Sequence, residues 1–447
     1  MKAETSNGAD LSWVDGFIDN VRPYIFVRTE DNLLIKRPNK AQKLNASGAV
    51  ILKALLDGLT INDLLDKIGR DPAKIGDIAN FMTAVKEHLE NRLDEFSTNP
   101  AVTSESFAMN FSEYPVLSEV ALTYRCNLKC RFCYAGCGCT ANPTGSSREM
   151  TAEQIRRVLW KIFHQARVPS VSFTGGEPAL VPALPDLVRY AKDLGMRVNL
   201  ITNGTRVCAD LAKRLADSGL DSAQVSIEGV TASIHDRMVG LAGAFENSIR
   251  AVGYLTDAGV LTHSNTTLTK DNLEECLQLP EFVKNKLKND RFSMNLVIPT
   301  GSGAVNENLI VPYGQVGEWV EKIVEKSRAA GVKFMWYSPV PMCLFNPIVH
   351  GLGNKGCSAC DGLLSVAANG DVLPCASYDD PVGNLLADDF KTIWQSVKAK
   401  QYRDKAFAHP ECRMCENFHI CNGACPLYWR QVGFDELLSE KFTKYSG

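Results

Sequence analysis

Three cysteines with the spacing CxxxCxxC, Cys126, Cys130 and Cys133, are the residues of this 447-residue chain best suited to chemistry. Three thiolates occupy three corners of a four-iron cubane, so one iron lacks a protein ligand and can bind a small molecule and pass it an electron. A zinc site is the alternative, but structural zinc closes with four ligands and no histidine lies nearby in the sequence. The spacing therefore favours an iron-sulfur cluster.

The other cysteines are clustered too. Of fifteen cysteines, five fall between Cys126 and Cys139, eight fall between Cys343 and Cys425, and only Cys208 and Cys276 stand alone. Disulfide scaffolds are short secreted chains, whereas clustered CxxC pairs in a long chain without an apolar leader indicate metal and a reducing compartment. We expect a cytoplasmic protein in which Cys208 and Cys276 are small buried apolar residues.

Length and charge exclude several classes of protein. On the usual prior of about 150 residues per domain, the length predicts about three domains. The formal charge of -3 and the pI near 6.2 give no support to a nucleic-acid partner. No apolar run approaches the roughly 20 residues that span a bilayer, so we expect no membrane partner.

The middle of the chain alternates β-rich apolar runs with helical stretches, which predicts an α/β fold of six parallel β/α units. The expected strands are Glu119–Tyr124, Val171–Thr174, Val198–Thr202, Ala223–Ile227, Thr262–Leu268 and Ser293–Ile298. Thr151 and Gln154 predict a capped helix between the first two, with its core stripe at Ile155, Val158, Leu159, Ile162 and Phe163.

The unusual sequences all follow these strands, where parallel β/α repeats place their active-site loops. The cysteines follow the first strand, Gly175-Gly176-Glu177-Pro178 ends the second, Asn203 follows the third, and Ser226 ends the fourth. Paired glycines let backbone approach a ligand closely, and the adjoining carboxylate can hold an ammonium group.

From about Glu119 to Thr300 these motifs, in this order, resemble the radical S-adenosylmethionine (radical SAM) superfamily. The resemblance implies a partial (β/α)6 barrel with a 4Fe-4S cluster on the three cysteines, whose open iron binds S-adenosylmethionine. Carried over residue by residue, it implies cofactor contacts from the following positions: Phe132, Gly175, Gly176, Glu177, Pro178, Asn203, Ser226 and Ile298. No general base is assigned.

The C-terminal cysteines, with the pattern Cx9Gx4C followed by Cx2Cx5Cx3C, resemble the SPASM extension of peptide-modifying radical enzymes. The resemblance implies a first auxiliary cluster on Cys357, Cys360, Cys375 and Cys425, and three ligands of a second on Cys412, Cys415 and Cys421. A zinc ribbon is the alternative, because thiolate pairs two residues apart also suit zinc.

The chain departs from the SPASM pattern because no cysteine follows Cys425. The second cluster would then have a carboxylate ligand, with Asp435 or Glu436 as candidates, an open iron, or fewer irons. Cys343 is a spare that could replace Cys357. Beyond the first triad, Cys137 and Cys139 are either extra thiols for metal chemistry or free thiols of a flexible loop.

The first hundred residues predict a hairpin and three helices. Tyr24–Val27 and Leu33–Lys36 flank a polar turn, and helices are expected over Ala49–Leu56, from Thr60, and over Ala73–Leu93, before a linker at Asp94–Ser106. This arrangement resembles the PqqD-like winged-helix chaperone of the pyrroloquinoline quinone pathway. It implies that a leader peptide pairs with a hairpin edge; the alternatives are a packing domain that binds nothing and a DNA-reading winged helix.

Together these features predict three domains, at residues 1–105, 106–335 and 336–447: leader docking, radical barrel and SPASM domain. We expect an oxidoreductase that cleaves S-adenosylmethionine to a 5'-deoxyadenosyl radical and abstracts hydrogen from a ribosomally made precursor peptide to install a cross-link or a related oxidative modification. Its electrons would come from an external donor such as flavodoxin or ferredoxin. The alternatives are side-chain processing of a tetrapyrrole (haem or haem d1) and a non-catalytic iron-sulfur electron carrier.

Overall fold

The computed structural model describes residues 10–38, 40–90, 112–137 and 149–439. The chain divides into two compact units. Described residues up to 90, together with residues 112–116, form the first unit, and those from 117 onward form the second.

The first unit combines a small antiparallel sheet with four helices. Its elements in chain order are α1 (Val14–Val21), β1 (Ile25–Arg28), β2 (Leu33–Lys36), β3 (Lys40–Lys43), α2 (Ala46–Leu56), α3 (Ile61–Lys67) and α4 (Pro72–Leu89). The sheet order is β1-β2-β3, so the predicted hairpin of β1 and β2 is confirmed. Strand β3 was not predicted, because Lys-Ala-Gln-Lys has little intrinsic β propensity and is held by pairing with β2.

Polar caps set the starts of the three predicted helices. Asn45 accepts a hydrogen bond from the Gly48 N–H at the start of α2, and Thr60 and Asp63 form a capping box on α3. Asp71 caps α4. The apolar sides of these helices share one core with β1 and β2, which includes Leu52, Phe81 and Met82. The last residues of the expected third helix and the whole expected linker lie outside the described residues.

The second unit contains the six predicted parallel strands. They are β4 (Leu117–Thr123), β5 (Ser170–Gly175), β6 (Arg197–Thr202), β7 (Ser222–Ser226), β8 (Leu261–Leu268) and β9 (Arg291–Leu296). They pair in sequential order, each parallel to the next. The α/β prediction with its six strands is therefore confirmed.

Helices connect these strands. They are α5 (Ala152–His164), α6 (Leu184–Asp193), α7 (Ala209–Asp217), α8 (Ala232–Val239), α9 (Ala244–Asp257), α10 (Leu273–Cys276), α11 (Leu279–Asn285), α12 (Ser302–Val305) and α13 (Tyr313–Ala330). Helix α5 begins with the expected capping box of Thr151 and Gln154. The expected stripe of α5 is buried at Ile155, Val158, Leu159 and Ile162 and half-buried at Phe163.

The sheet extends beyond the predicted strands on both sides. Strand β10 (Lys333–Trp336) adds to β9, and β11 (Leu363–Val366) pairs in parallel with β4. Strands β12 (Asp371–Leu373) and β13 (Gly383–Asn384) continue antiparallel from β11. The C-terminal cysteine region therefore shares a sheet with the barrel strands, and the two form one compact unit rather than two.

Short helices complete the second unit. They are α14 (Phe390–Trp394), α15 (Val397–Arg403), α16 (Pro410–Met414), α17 (Phe418–Cys421), α18 (Pro426–Val432) and α19 (Asp435–Leu438). None of the helices in the described part of the chain has the length and apolar character needed to cross a bilayer.

Candidate active site and auxiliary cysteine sets

The loop that carries the first cysteine triad is held at the carboxyl ends of β4 and β5. The Gly176 N–H donates to the Thr123 carbonyl at 2.7 Å, and the Glu177 N–H donates to the Arg125 carbonyl at 2.9 Å. A Cβ at Gly176 would lie 2.3 Å from the Arg125 carbonyl oxygen, and one at Gly175 would lie 2.2 Å from that of Thr123. The paired glycines therefore admit the backbone that leads into Cys126.

The Glu177 carboxylate joins the ends of β5 and β6. It is fully buried and accepts hydrogen bonds from the Thr202 hydroxyl at 2.6 Å, the Asn203 N–H at 2.7 Å and the Ala179 N–H at 2.9 Å. Burial raises the pKa of Glu177, and these hydrogen bonds counteract the shift. One oxygen accepts two of these bonds and the other accepts one, so the carboxylate keeps acceptor capacity and its contact with a ligand's ammonium group stays a prediction. Contact of the surrounding segment with a cofactor stays a prediction.

Asn203 faces the cysteine triad. Its amide nitrogen lies 3.8 Å from Cys126 Sγ and 3.2 Å from Asn127 Oδ1. Asn127 in turn donates to the Thr205 hydroxyl at 2.7 Å. The sequence pointed to Asn203 for a ribose or carboxylate contact and missed this link, in which Asn127 and Thr205 fix the loop of the first cysteine. Their proximity to Cys126 and Asn203 in the sequence was the available signal.

The three thiols of the triad have different surroundings. Burial raises the pKa of Cys126 to about 11, and burial raises that of Cys130 well above its usual range. A hydrogen bond from the Cys137 thiol, together with neighbouring backbone N–H groups, lowers the pKa of Cys133 to about 6 despite its burial. Cys137 is buried against Cys133, whereas Cys139 lies outside the described residues. Of the two isolated cysteines, Cys276 is buried as expected, but the expectation for Cys208 is wrong, because it caps the start of α7 and is exposed.

The loop after β9 closes over the last cysteine of the triad. The Ser302 N–H donates to the Cys133 carbonyl at 2.8 Å, and the Thr300 hydroxyl donates to the Tyr134 carbonyl. Gly301 has φ +52°, and a Cβ there would lie 2.5 Å from the Cys133 carbonyl oxygen. Sequence reasoning stopped at Ile298 and missed this contact, because no single residue of the loop has a distinctive chemistry.

The remaining predicted cofactor contacts lie on the same edge of the sheet. Phe132, Ser226 and Ile298 are each partly exposed, whereas Pro178 is buried and begins a single 3-10 turn. Glu228, just after β7, is an additional buried carboxyl that accepts the Thr267 N–H at 2.8 Å. Burial raises its pKa to about 8, so a neutral carboxyl lies among the strand ends that surround the triad.

The structure brings the first four auxiliary cysteines together. The pKa of Cys375 is raised by burial and then by the Cys357 and Cys425 thiols, and Cys357 adds to the shifts of Cys360 and Cys425. Strand β4 contributes to this set, because the Glu119 carboxylate accepts hydrogen bonds from the Ala376 N–H, next to Cys375, and from the Ser365 hydroxyl.

Two cations lie beside this first auxiliary set. The Lys405 side chain is fully buried and ion-paired with Asp361 at 3.2 Å, and Arg403 donates to the Cys360 carbonyl at 3.1 Å. Their charges lower the pKa of the Cys360 thiol, which burial nevertheless raises to about 12. Buried positive charge of this kind suits a set of thiolates.

A second auxiliary set contains Cys412, Cys415 and Cys421, and Cys343 lies with it. Burial raises the pKa of Cys412 to about 12, with further contributions from Cys421, Cys343 and Cys415. The expectation that Cys343 could replace Cys357 is therefore wrong, because Cys343 lies in the other set. Glu436, a suggested ligand, instead accepts bonds from the Gly314 N–H and the Tyr428 hydroxyl.

By their chemistry alone the cysteine sets could hold clusters or zinc, since thiolates bind both. Within the described ranges, no three His, Cys, Asp or Glu side chains form a preformed site for a single metal ion. The choice between clusters and zinc therefore rests on the families that the chain matches.

Comparison with known proteins gives two matching families. Residues 120–283 match the radical SAM superfamily, and residues 357–416 match the SPASM iron-sulfur cluster-binding domain. The AdoMet-dependent heme synthase of Nitratidesulfovibrio vulgaris is 27% identical over 339 residues, which is 72% of this chain and 90% of that protein. The PqqA peptide cyclase of Rhizobium meliloti is 28% identical over 342 residues, 73% of this chain and 85% of that protein.

The fold is also similar to that of a solved structure. SuiB of Streptococcus suis, crystallised with its precursor peptide SuiA, superposes with a TM-score of 0.67 at 18% identity, covering 91% of this chain and 95% of that one. SuiB has also been crystallised with S-adenosylmethionine. At this level of identity the likeness concerns the fold.

The chain therefore contains a radical SAM domain and a SPASM domain, and it is an enzyme rather than an electron carrier. These domains imply a 4Fe-4S cluster with S-adenosylmethionine and auxiliary iron-sulfur clusters. The three cysteine sets are the candidate ligands for these groups.

Proposed function

We propose that this enzyme, whose chain carries a radical SAM domain and a SPASM domain, installs a cross-link or a related oxidative modification in a ribosomally made precursor peptide. The observation that carries the proposal is in the first unit: among the described residues no strand pairs with the outer side of β3, and a narrow apolar groove lies between the sheet and α4. This is the arrangement that β-augmentation by an extended peptide requires. It supports the PqqD-like reading of the first unit.

The outer edge of β3 has backbone groups available for pairing. Strand β3 is an edge of its sheet, and the Leu44 N–H donates to the Asn32 carbonyl of the β2 side. Hydrogen-bonded and non-bonded pairs alternate in an antiparallel ladder, so Gln42 also faces β2. The backbone N–H and C=O groups of Ala41 and Lys43 therefore face outward, where an added strand would bond to them; it would have to replace the weak hydrogen bond that the Gln42 side chain donates to the Lys43 carbonyl at 3.4 Å.

An apolar groove runs between this sheet and α4. Leu34 and Leu44 line it from the sheet side, and Phe81, Val85 and His88 line it from the helix. Alternate side chains of a strand point to the same face, so every second residue of an added strand would reach the groove. The groove is narrow, because Leu34, Leu44, Phe81 and Val85 are buried core residues, and an apolar leader side chain would have to widen it.

Positive charge borders the groove. Burial lowers the pKa of His88, and the charges of Lys36 and Lys40 lower it further, so both lysines lie near the groove. Lysines on an edge strand also discourage non-specific pairing. We therefore expect an acidic leader with an apolar anchor. Its acidic residues would neutralise the lysine charges that repel other strands, and its anchor would contact the groove.

Replacement of an outward N–H tests the docking mode. We expect Ala41→Pro to weaken leader binding about tenfold, because it removes one main-chain donor at the open edge while leaving the bonds to β2 in place. Ala41→Val keeps the N–H and is the matched control. The probes are synthetic peptides of the short reading frames adjacent to the gene, with binding followed by fluorescence anisotropy.

Equal affinity of the Ala41→Pro and Ala41→Val proteins for such a peptide would contradict docking at β3. Cleavage of S-adenosylmethionine in the absence of peptide should proceed at the wild-type rate in both variants, since Ala41 is not in the unit that contains the cysteine triad. That rate separates a defect in docking from a defect in folding of the second unit.

Within the second unit, the proposed chemistry divides between cofactors and protein. A 4Fe-4S cluster held by Cys126, Cys130 and Cys133 would supply the electron for cleavage of S-adenosylmethionine, and the peptide would be the hydrogen donor. The protein holds the triad loop through Gly176, Glu177 and Asn203 and closes it with the Thr300–Ser302 segment. The auxiliary sets are suited to accept the electron that the peptide must lose, and an external donor such as flavodoxin or ferredoxin would supply the first one.

Processing of a tetrapyrrole side chain is the second candidate. The similarity to AdoMet-dependent heme synthases, at 27–28% identity, favours it. Iron-coproporphyrin III is the discriminating probe: the peptide proposal predicts that the reduced enzyme leaves it unchanged. Conversion of its side chains, with no change in any adjacent-frame peptide, would favour the tetrapyrrole function instead.

A further inference from the structure

The second auxiliary set has three cysteines from the SPASM pattern, and the chain has no cysteine after Cys425. A 4Fe-4S cluster usually takes four protein thiolates. The three cysteines of the pattern therefore leave one iron of this cluster to be accounted for.

The segment before the SPASM match brings a fourth thiol to this set. Residues 341–345 form a tight turn, in which the Leu344 and Phe345 N–H groups both donate to the Pro341 carbonyl. The Met342 N–H donates to Cys421 Sγ at 3.4 Å. The turn is thus anchored on one cysteine of the set, and the next residue after the anchor is Cys343.

Electrostatic effects between the thiols also group Cys343 with the second auxiliary set. The Cys421 and Cys415 thiols lie close enough to Cys343 to act on it electrostatically. The Cys421, Cys343 and Cys415 thiols act on Cys412 in the same way. The four cysteines are therefore mutual neighbours, although Cys343 lies 69 residues before Cys412 in the sequence.

Glu436, one of the two carboxylates considered as alternative ligands, is placed differently. Glu436 bonds to the Tyr428 hydroxyl and to the Gly314 N–H. Tyr428 stacks on Tyr313 at a ring distance of 3.7 Å, and the Tyr313 hydroxyl accepts the Cys425 N–H. Glu436 is thus tied to groups that border the first auxiliary set.

We propose that Cys343 is the fourth ligand of the second auxiliary cluster, which it completes together with Cys412, Cys415 and Cys421. A cluster with four protein thiolates has no open iron. The second cluster then transfers electrons and does not bind substrate.

Iron retention tests the assignment without any substrate. In a background in which Cys126, Cys130 and Cys133 are all alanine, only auxiliary iron remains after anaerobic reconstitution. In this background we expect Cys343→Ala to lose iron. The loss should be at least about one iron per chain, and up to the roughly four irons of a whole cluster. Iron analysis measures the content per chain, and electron paramagnetic resonance follows the cluster signal. Cys208→Ala is the matched control, because Cys208 is exposed and belongs to neither auxiliary set.

A second variant and a ligand challenge guard against simple misfolding. Cys343→Ser is expected to keep its iron but change the resonance spectrum, since an oxygen ligand replaces sulfur. Added imidazole should leave the auxiliary spectrum of the background protein unchanged, whereas added β-mercaptoethanol should restore iron to Cys343→Ala. Unaltered iron and spectra in both Cys343 variants would overturn the assignment, as would a response of the background protein to imidazole.

Discussion

At the scale of single residues, positions that look like ligand contacts also assemble the cysteine loop. Gly176 and Glu177 hold the backbone before Cys126, and Asn203 directs its amide toward the sulfur. Residue type and position after a strand could be read from the sequence. The direction of a side chain depends on which neighbouring strand end offers a hydrogen-bond donor. The hydrogen-bond partners of Glu177 and Asn203 therefore could not be predicted from the sequence.

Gly176→Ala tests the role of the close backbone approach. The added Cβ would meet the Arg125 carbonyl at 2.3 Å, so we expect a loss of stability of about 1–3 kcal/mol and a lower iron content at the first triad. Iron per chain and denaturant unfolding of the second unit measure the two effects. Gly253→Ala is the control, because nothing lies within 4 Å of its Cβ and it sits inside α9.

In the control, alanine should slightly stabilise the helix, by about 0.5–1 kcal/mol, and leave the iron content unchanged. An iron content in Gly176→Ala equal to that of Gly253→Ala would contradict the positioning role.

At the scale of elements, the β1–β2 turn is fixed by a buried ion pair. Arg28 and Asp31 are almost completely buried, with Nε and Oδ1 2.7 Å apart, and Arg28 also donates to the Pro115 carbonyl at 2.8 Å. The Asp31 carboxylate accepts the Glu113 N–H. This pair ties residues 112–116 to the hairpin, and the sequence showed only a polar turn there, because the partners are more than 80 residues away.

Arg28→Met should destabilise the hairpin by about 3–5 kcal/mol, because it leaves the Asp31 carboxylate buried without its charge partner. Hydrogen exchange of the β1 and β2 amides, followed by mass spectrometry, measures the local effect. Lys53→Met is the comparison, since the Lys53–Asp57 pair is exposed and should contribute less than about 1 kcal/mol. Equal exchange rates in the two variants would show that the ion pair does not hold the turn.

At the scale of the whole molecule, local sequence patterns predicted the strands that carry the site but not the extent of the sheet. Strands β4 to β9 were read from apolar runs between helical stretches. Strand β11 is short and lies among loops, so its pairing with β4 depends on contacts across the fold. The same limit separated Cys343 from its set, because a spacing rule detects ligands only within one segment.

The central claim is that the radical centre acts on a peptide. The most direct test incubates the reduced enzyme, without oxygen, with S-adenosylmethionine and a synthetic peptide from an adjacent reading frame, and measures 5'-deoxyadenosine and peptide mass together. We predict that both change, the peptide losing a pair of hydrogen atoms, and that neither changes when Cys126, Cys130 and Cys133 are alanine. Peptide modification that persists without those cysteines, or 5'-deoxyadenosine formation with every such peptide unaltered, would contradict the account.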